Sequence, residues 1–350
     1  MKLKIFVALQ ALACAFSAYP QKTVTNARFE QYGNTLRIYY DLSRIADISI
    51  LFSADGGRTF SSLEDKHVSG DVGPQVPPGK GKLATWYVLK DVDKLNGSEI
   101  CFQIRALTGK RVFRVGAINF TMVEVAGGTF IMGCTEEQGK ECKNDESPSR
   151  EITLSSFYMA ECEVTQGLWR AVMGSYPCKF SGNNVAADCI SWDESVEFIE
   201  KLNEKLGTTG FRMPTEAEWE YAARGGRKSK GYKYSGSNDI EEVAWYEANA
   251  ESKPQFVMGK KPNELGLYDM SGNVREWCSD WYGPYDDKQT DNPQGPSEGH
   301  DKCLRGGGWG TTATICRVSR RLYGDRTTEN SGNGHGLRLV FVDPDDTESK

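Results

Sequence analysis

The chain has 350 residues, 39% hydrophobic and 26% charged, with a formal net charge of −6. That composition is ordinary for a soluble globular protein, and the length fits two domains. The acidic balance and the lack of a basic stripe leave no nucleic-acid footprint, and no apolar run is long enough to span a bilayer.

Residues 1–18 read as a secretory signal: Lys2 and Lys4 open it, Ile5 to Ala13 is apolar, and Ala15, Ser17 and Ala18 are small. Lipidation at Cys14 is the rival reading, although the favoured leucine of Ala11-Leu12-Ala13-Cys14 stands one place late. The protein is therefore expected outside the cytosol: periplasmic, at the cell surface or secreted. Of the ten cysteines, nine remain once Cys14 is set aside, so an exported chain could form disulfides. Cys134 with Cys142 and Cys178 with Cys189 would each close a short polar loop, but spacing does not fix the connectivity. There is no CxxC, and His67, His300 and His335 are scattered, so a zinc site is not expected.

Residues 21–116 read as β. LRIYYDL, ISILF, LATWYVL and ICFQIRAL are short, β-branched or aromatic, and separated by turn residues. Their number and spacing suit an immunoglobulin-like sandwich. Ser53 to Phe60 resembles a single Asp-box hairpin; one copy cannot build a propeller, so it reads as a turn. Gly70 to Lys82, rich in Gly, Pro and Lys, reads as a long surface loop. The boundary is placed near Arg111 to Ala117, and Gly127-Gly128 then marks the first hairpin of a second domain, 117–343.

Three helices follow. Thr165 caps one that runs to Met173. Ser191 with Glu194 makes a capping box for a helix carrying Val196, Ile199, Leu202 and Leu206 and stopping at Gly207. Thr215 with Glu218 caps a third, which buries Trp219, Ala222 and Ala223 and ends at Gly225-Gly226. From Gly226 to Leu265 the chain is polar and irregular, with Trp245-Tyr246 as an anchor. The tail 344–350 is charged and reads as disordered.

The stretch from Gly266 to Phe341 is unlike ordinary loop. It reads GLYDMSGNVREWCSDWY, then LRGGGWGTTATICRVSRR, then GHGLRLVF, with glycines and tryptophans set among carboxylates and amides. Together with SSFYMAECEVTQGLW and FRMPTEAEWEYAARGG upstream, these segments resemble, in order, the signatures of the formylglycine-generating enzyme (sulfatase-modifying factor) family. The resemblance covers Val123 to Phe341. It implies an α+β chain: the β-sandwich, then a loop-rich, C-type-lectin-like domain with few short helices.

The resemblance also implies a site. Family oxidases turn a sulfatase cysteine into formylglycine using oxygen and copper(I) held between two cysteine thiolates five residues apart, a soft-ligand arrangement. With Gly306-Gly307-Gly308-Trp309 setting the register, the second cysteine falls on Cys316 but the first falls on Thr311. A threonine hydroxyl is a hard, protonated donor, so copper is not expected. Structural calcium is expected instead at Asn273 and Glu276 of the Gly-Asn-x-x-Glu turn, with Asn249 matching a second site whose acidic partner is not recognisable. Trp309, Arg317, Arg320 and Arg321 should then line a ligand cleft for a peptide, protein or acidic ligand. The reading is an exported, non-catalytic binding or assembly module, the alternative being a metal-dependent oxidase of a protein cysteine or another substrate.

Overall fold

The computed structural model describes residues 24–43, 46–53, 61–63, 66–91, 100–107, 109–176, 178, 182–327 and 334–344. The signal segment, the Asp-box residues 54–60 and the tail from 345 lie outside them. The chain divides into two compact units, the first reaching Gly109 and the second spanning Lys110–Val342.

The first unit is all β. Its strands are β1 (Val24–Tyr32), β2 (Thr35–Leu42), β3 (Ala46–Ser53), β4 (Ser61–Ser62), β5 (Val68–Gly70), β6 (Gly73–Val76), β7 (Gly79–Trp86) and β8 (Cys101–Leu107). One sheet runs β1-β2-β7-β5, and in the other β3 pairs with β4, β6 and β8. Strict alternation along β2 turns Leu36, Ile38, Tyr40 and Leu42 inward. There they share one core with Ile48, Ile50 and Ile104 of the other sheet. The stretch Gly70–Lys82 is not a loop: it contains β6 and the start of β7. β6 lies at a sheet edge, hydrogen-bonded on one side only, where Gly and Pro are tolerated.

The second unit opens with β9 (Lys110–Val115) and β10 (Ile118–Val125). These two form the first hairpin, closed at Gly116 (φ 59°). The hairpin expected at Gly127-Gly128 does not form, because β10 turns instead to β13 (Phe157–Ala160), while β11 (Gly128–Met132) pairs with β12 (Arg150–Leu154). The remaining strands are short: β14 (Phe211–Arg212), β15 (Ala244–Trp245), β16 (Ser271–Gly272), β17 (Arg275–Trp281), β18 (Asp301–Arg305), β19 (Leu322–Asp325), β20 (His335–Gly336) and β21 (Val340–Phe341). They make a sheet β14-β21-β13-β10-β9 and a second, β19-β18-β17-β20.

The helices are α1 (Gln166–Met173), α2 (Trp192–Leu206), α3 (Glu216–Ala223) and the single-turn α4 (Ile240–Val243). Thr165, Ser191 and Thr215 each accept a backbone N–H at the helix start, and Ser191 and Thr215 form full capping boxes with Glu194 and Glu218. α2 ends at Gly207 in the left-handed conformation. Its buried face centres on Ser195, Phe198, Ile199 and Leu202, and Phe198 stacks on Trp169 of α1 at 4.8 Å. Disulfides join Cys134 to Cys142 and Cys178 to Cys189. Cys162, Cys278, Cys303 and Cys316 are free thiols. Among the described residues no helix is long and apolar enough to cross a membrane.

Candidate functional site

The glycine run after β18 lets two backbone segments approach. Gly307 has φ +71°, and a Cβ there would lie 2.8 Å from Cys316 Sγ and 3.0 Å from Thr311 Oγ1. Only glycine leaves room for the turn that brings Thr311 and Cys316 together. Gly272 does the same for the neighbouring turn, since a Cβ would sit 2.3 Å from the Trp245 carbonyl. Asn273, at φ +56°, then donates its N–H to that carbonyl and accepts one from Trp309 through its own. Asn is among the few side chains that tolerate this backbone region.

Thr311 Oγ1 and Cys316 Sγ stand 3.6 Å apart and are buried. The Thr311 hydroxyl is already used: it donates to Gly308 O (2.8 Å) and accepts from Gly308 N–H (2.9 Å). Burial pushes the Cys316 thiol up to about 11, although Thr311 and the charge of Arg275 pull the other way. At neutral pH the site therefore offers a thiol and a hydroxyl. Copper(I) held by two thiolates does not fit this donor set. Cys303, inside β18, is buried and lies outside this turn.

The arginines expected in a ligand cleft are mostly elsewhere. Arg317 is fully buried and grips Glu146 with both ends of its guanidinium, at 2.9 and 2.6 Å. Arg321 is buried in a two-point pair with Glu216, both bonds 2.8 Å. Both act as internal braces, because a buried guanidinium must keep its carboxylate. Arg320 is half-buried on Asp145 at 3.3 Å. Trp309 remains half-buried at the site, its indole N–H directed at the Asp188 carboxyl.

The residues named as calcium ligands are engaged by protein donors. Glu276 is filled by the indole N–H of Trp219 (2.6 Å) and by Arg338 (2.7 to 3.0 Å). Asn273 Oδ1 accepts from Gln255 N–H, and Asn249 Oδ1 accepts from Tyr246 N–H within its own turn. The oxygens left without a partner in this buried cluster are Glu163 Oε1, Glu163 Oε2 and Asp269 Oδ1. Burial, and next the charge of Asp269, raises the Glu163 carboxyl well above its ordinary range.

Arg275, Glu163, Asp269, Asp188 and His335 escaped the sequence reading. Arg275 stands inside the GNVREW turn, and among the described residues its side chain makes one bond, a 3.2 Å contact from Nη1 to His335 Nε2. His335 is 5% exposed, and burial followed by Arg275 lowers its pKa to about 4, so it is neutral. Asp188 is held by the Tyr176 hydroxyl at 2.7 Å. The signal available was the cation standing directly before Glu276, whose own partner turned out to be Arg338.

Residues 117–342 match the family described as the sulfatase-modifying factor enzyme 1-like domain. The chain is 34% identical over 268 residues to "Chaperone protein LppX" of Paenibacillus barcinonensis, covering 63% of this chain and 88% of that protein. It is 32% identical over 168 residues to "Formylglycine-generating enzyme" of Streptomyces coelicolor, covering 43% of this chain but only 51% of that enzyme. It spans 37% of "Serine/threonine-protein kinase pkn1" of Chlamydia pneumoniae, at 31% identity over 61% of this chain. Among solved structures, "Treponema denticola variable protein 1" superposes with a TM-score of 0.58 at 30% identity, over 66% of this chain and 98% of that one. PvdO from Pseudomonas aeruginosa shares the fold, with a TM-score of 0.57 at 24% identity, over 66% and 97%.

Proposed function

The chain belongs to the sulfatase-modifying factor family, and from that premise we propose that it is a non-catalytic binding or assembly module rather than a formylglycine-generating oxidase. The observation that carries this is the pairing of Thr311 with Cys316. Two thiolates are needed to hold copper(I), and here one donor is a hydroxyl already bonded twice to Gly308. A relative whose name is "Chaperone protein" is consistent with binding as the retained activity. The two disulfides support placing the protein outside the cytosol. The mass of the mature chain tests that placement, since an uncleaved and unlipidated N-terminus would refute it.

The test of the main reading uses copper(I)-loaded protein, oxygen and a sulfatase-type cysteine peptide, with mass spectrometry for the aldehyde. Wild type should produce none, and Thr311→Cys, which restores the second soft ligand, should gain turnover. Aldehyde from wild type, lost in Cys316→Ser, would establish the oxidase reading instead.

A structural calcium is proposed at Glu163 and Asp269, supported by their three unpartnered buried oxygens. With calcium about a hundredfold above its dissociation constant, the unfolding midpoint should rise by roughly 5 °C or more over that in chelator. Glu163→Gln should remove the response. Equal midpoints for wild type with and without calcium would refute the site.

A further inference from the structure

Four arginines of the second unit are buried at 2% exposure or less, and each is matched to a glutamate: Arg305 to Glu220, Arg317 to Glu146, Arg321 to Glu216 and Arg338 to Glu276. Arg275 breaks that pattern. It is half-buried, no carboxylate among the described residues lies within ion-pair reach, and its Nε–H is buried without an acceptor. A guanidinium partly removed from water without a counter-charge is costly, so it marks a place where a ligand can supply the charge.

Its surroundings are those of the candidate site. The Arg275 N–H is fixed on Gly334 O at 2.7 Å, and a Cβ on Gly334 would lie 2.6 Å from the Trp309 indole nitrogen. Backbone therefore comes close beneath Trp309, and the Arg275 charge is felt at the Cys316 thiol. We propose that Arg275 is the anchor of an anion subsite that binds one carboxylate of an acidic peptide beside Trp309 and the Thr311–Cys316 turn. This rests on the binding-module reading and names the chemistry of its ligand.

Charge decides between a carboxylate and a phosphate. Arg275 carries a single positive charge. His335 beside it is neutral, the carboxyl of Asp188 faces Trp309, and Glu247 lies beside the Thr311–Cys316 turn. A monoanion suits this setting, whereas a phosphate dianion would meet one cation and, among the described residues of the site, no second. The planar guanidinium fork also matches the two oxygens of a carboxylate.

The test follows the Arg275 Nε–H and Trp309 indole N–H resonances of the full chain by nitrogen-edited NMR. Three probes are added separately: N-acetyl-glutamate amide, N-acetyl-glutamine amide and inorganic phosphate. A dipeptide with a free C-terminal carboxylate forms a fourth arm, which separates a side-chain source from a chain-terminal one. The proposal expects saturable shifts of both resonances with one or both carboxylate probes, and binding at least about tenfold weaker for the glutamine probe and for phosphate. Arg275→Gln should weaken carboxylate binding by about tenfold or more, and Arg275→Lys should restore part of it. Because the Arg275 side chain bonds only to His335 among the described residues, the variant should fold, and its unfolding midpoint checks this. Equal binding of glutamate and glutamine probes, preference for phosphate, or no shift in wild type would each overturn the proposal. None of those results produces aldehyde in the copper assay, so the subsite can fail while the binding-module reading stands.

Discussion

Asp280, near the end of β17, is 4% exposed, and its Oδ2 accepts from Glu216 N–H and the Ser279 hydroxyl. Burial first, and then the Glu216 charge, lifts its pKa from 3.8 to about 7. A carboxyl with a raised folded pKa favours folding in its protonated form. The Asp280 contribution to stability should therefore be greatest below 3.8, fall as pH rises to 7, and flatten above. Asp280→Asn keeps the acceptor and removes the titration. Its benefit should be about 2–3 kcal/mol larger at pH 8 than at pH 5, read from urea midpoints at the two pH values. An equal effect at both would show that Asp280 does not titrate in this range. Single residues of this kind were the least legible part of the sequence. Arg317 and Arg321 were visible as charges, but their glutamates lie 171 and 105 positions away. A long-range partner is what turns a surface cation into an internal brace. The same holds for Glu276, whose partner Arg338 lies 62 positions away.

Elements whose signals are local were read well. The caps at Thr165, Ser191 and Thr215 announce α1, α2 and α3 because a cap involves residues three apart and nothing else. The register of the Gly306 to Cys316 turn was also readable, since glycine at Gly307 is demanded by the close approach of Cys316. Short strands were not. β14, β15, β16, β20 and β21 have two residues each, too few for any period to appear. They exist because backbone from distant segments supplies their hydrogen bonds: β14 and β13 both pair with β21, and β20 pairs with β17. The error at Gly127-Gly128 has the same origin. Two glycines after an alternating run look like a hairpin, yet β10 finds its partners in β9 and β13.

At the scale of the whole molecule, each unit has a core of its own. The first is closed by Leu36, Ile38, Trp86 and their neighbours, and the second by two clusters built around Trp277 and Trp219. Both disulfides, the four buried arginine–glutamate pairs and the Thr311–Cys316 turn lie within Lys110–Val342. A unit with its own core and its own cross-links meets the condition for independent folding. The segment Lys110–Val342, made alone and oxidised, should unfold in one cooperative transition and still show the Arg275-dependent carboxylate response. Calorimetry of the full chain should then give two transitions, one of which falls within about 5 °C of the segment's own midpoint. If the segment lacks a cooperative transition while the full chain melts once, the N-terminal unit is a required part of the fold, and every experiment on the site must carry it.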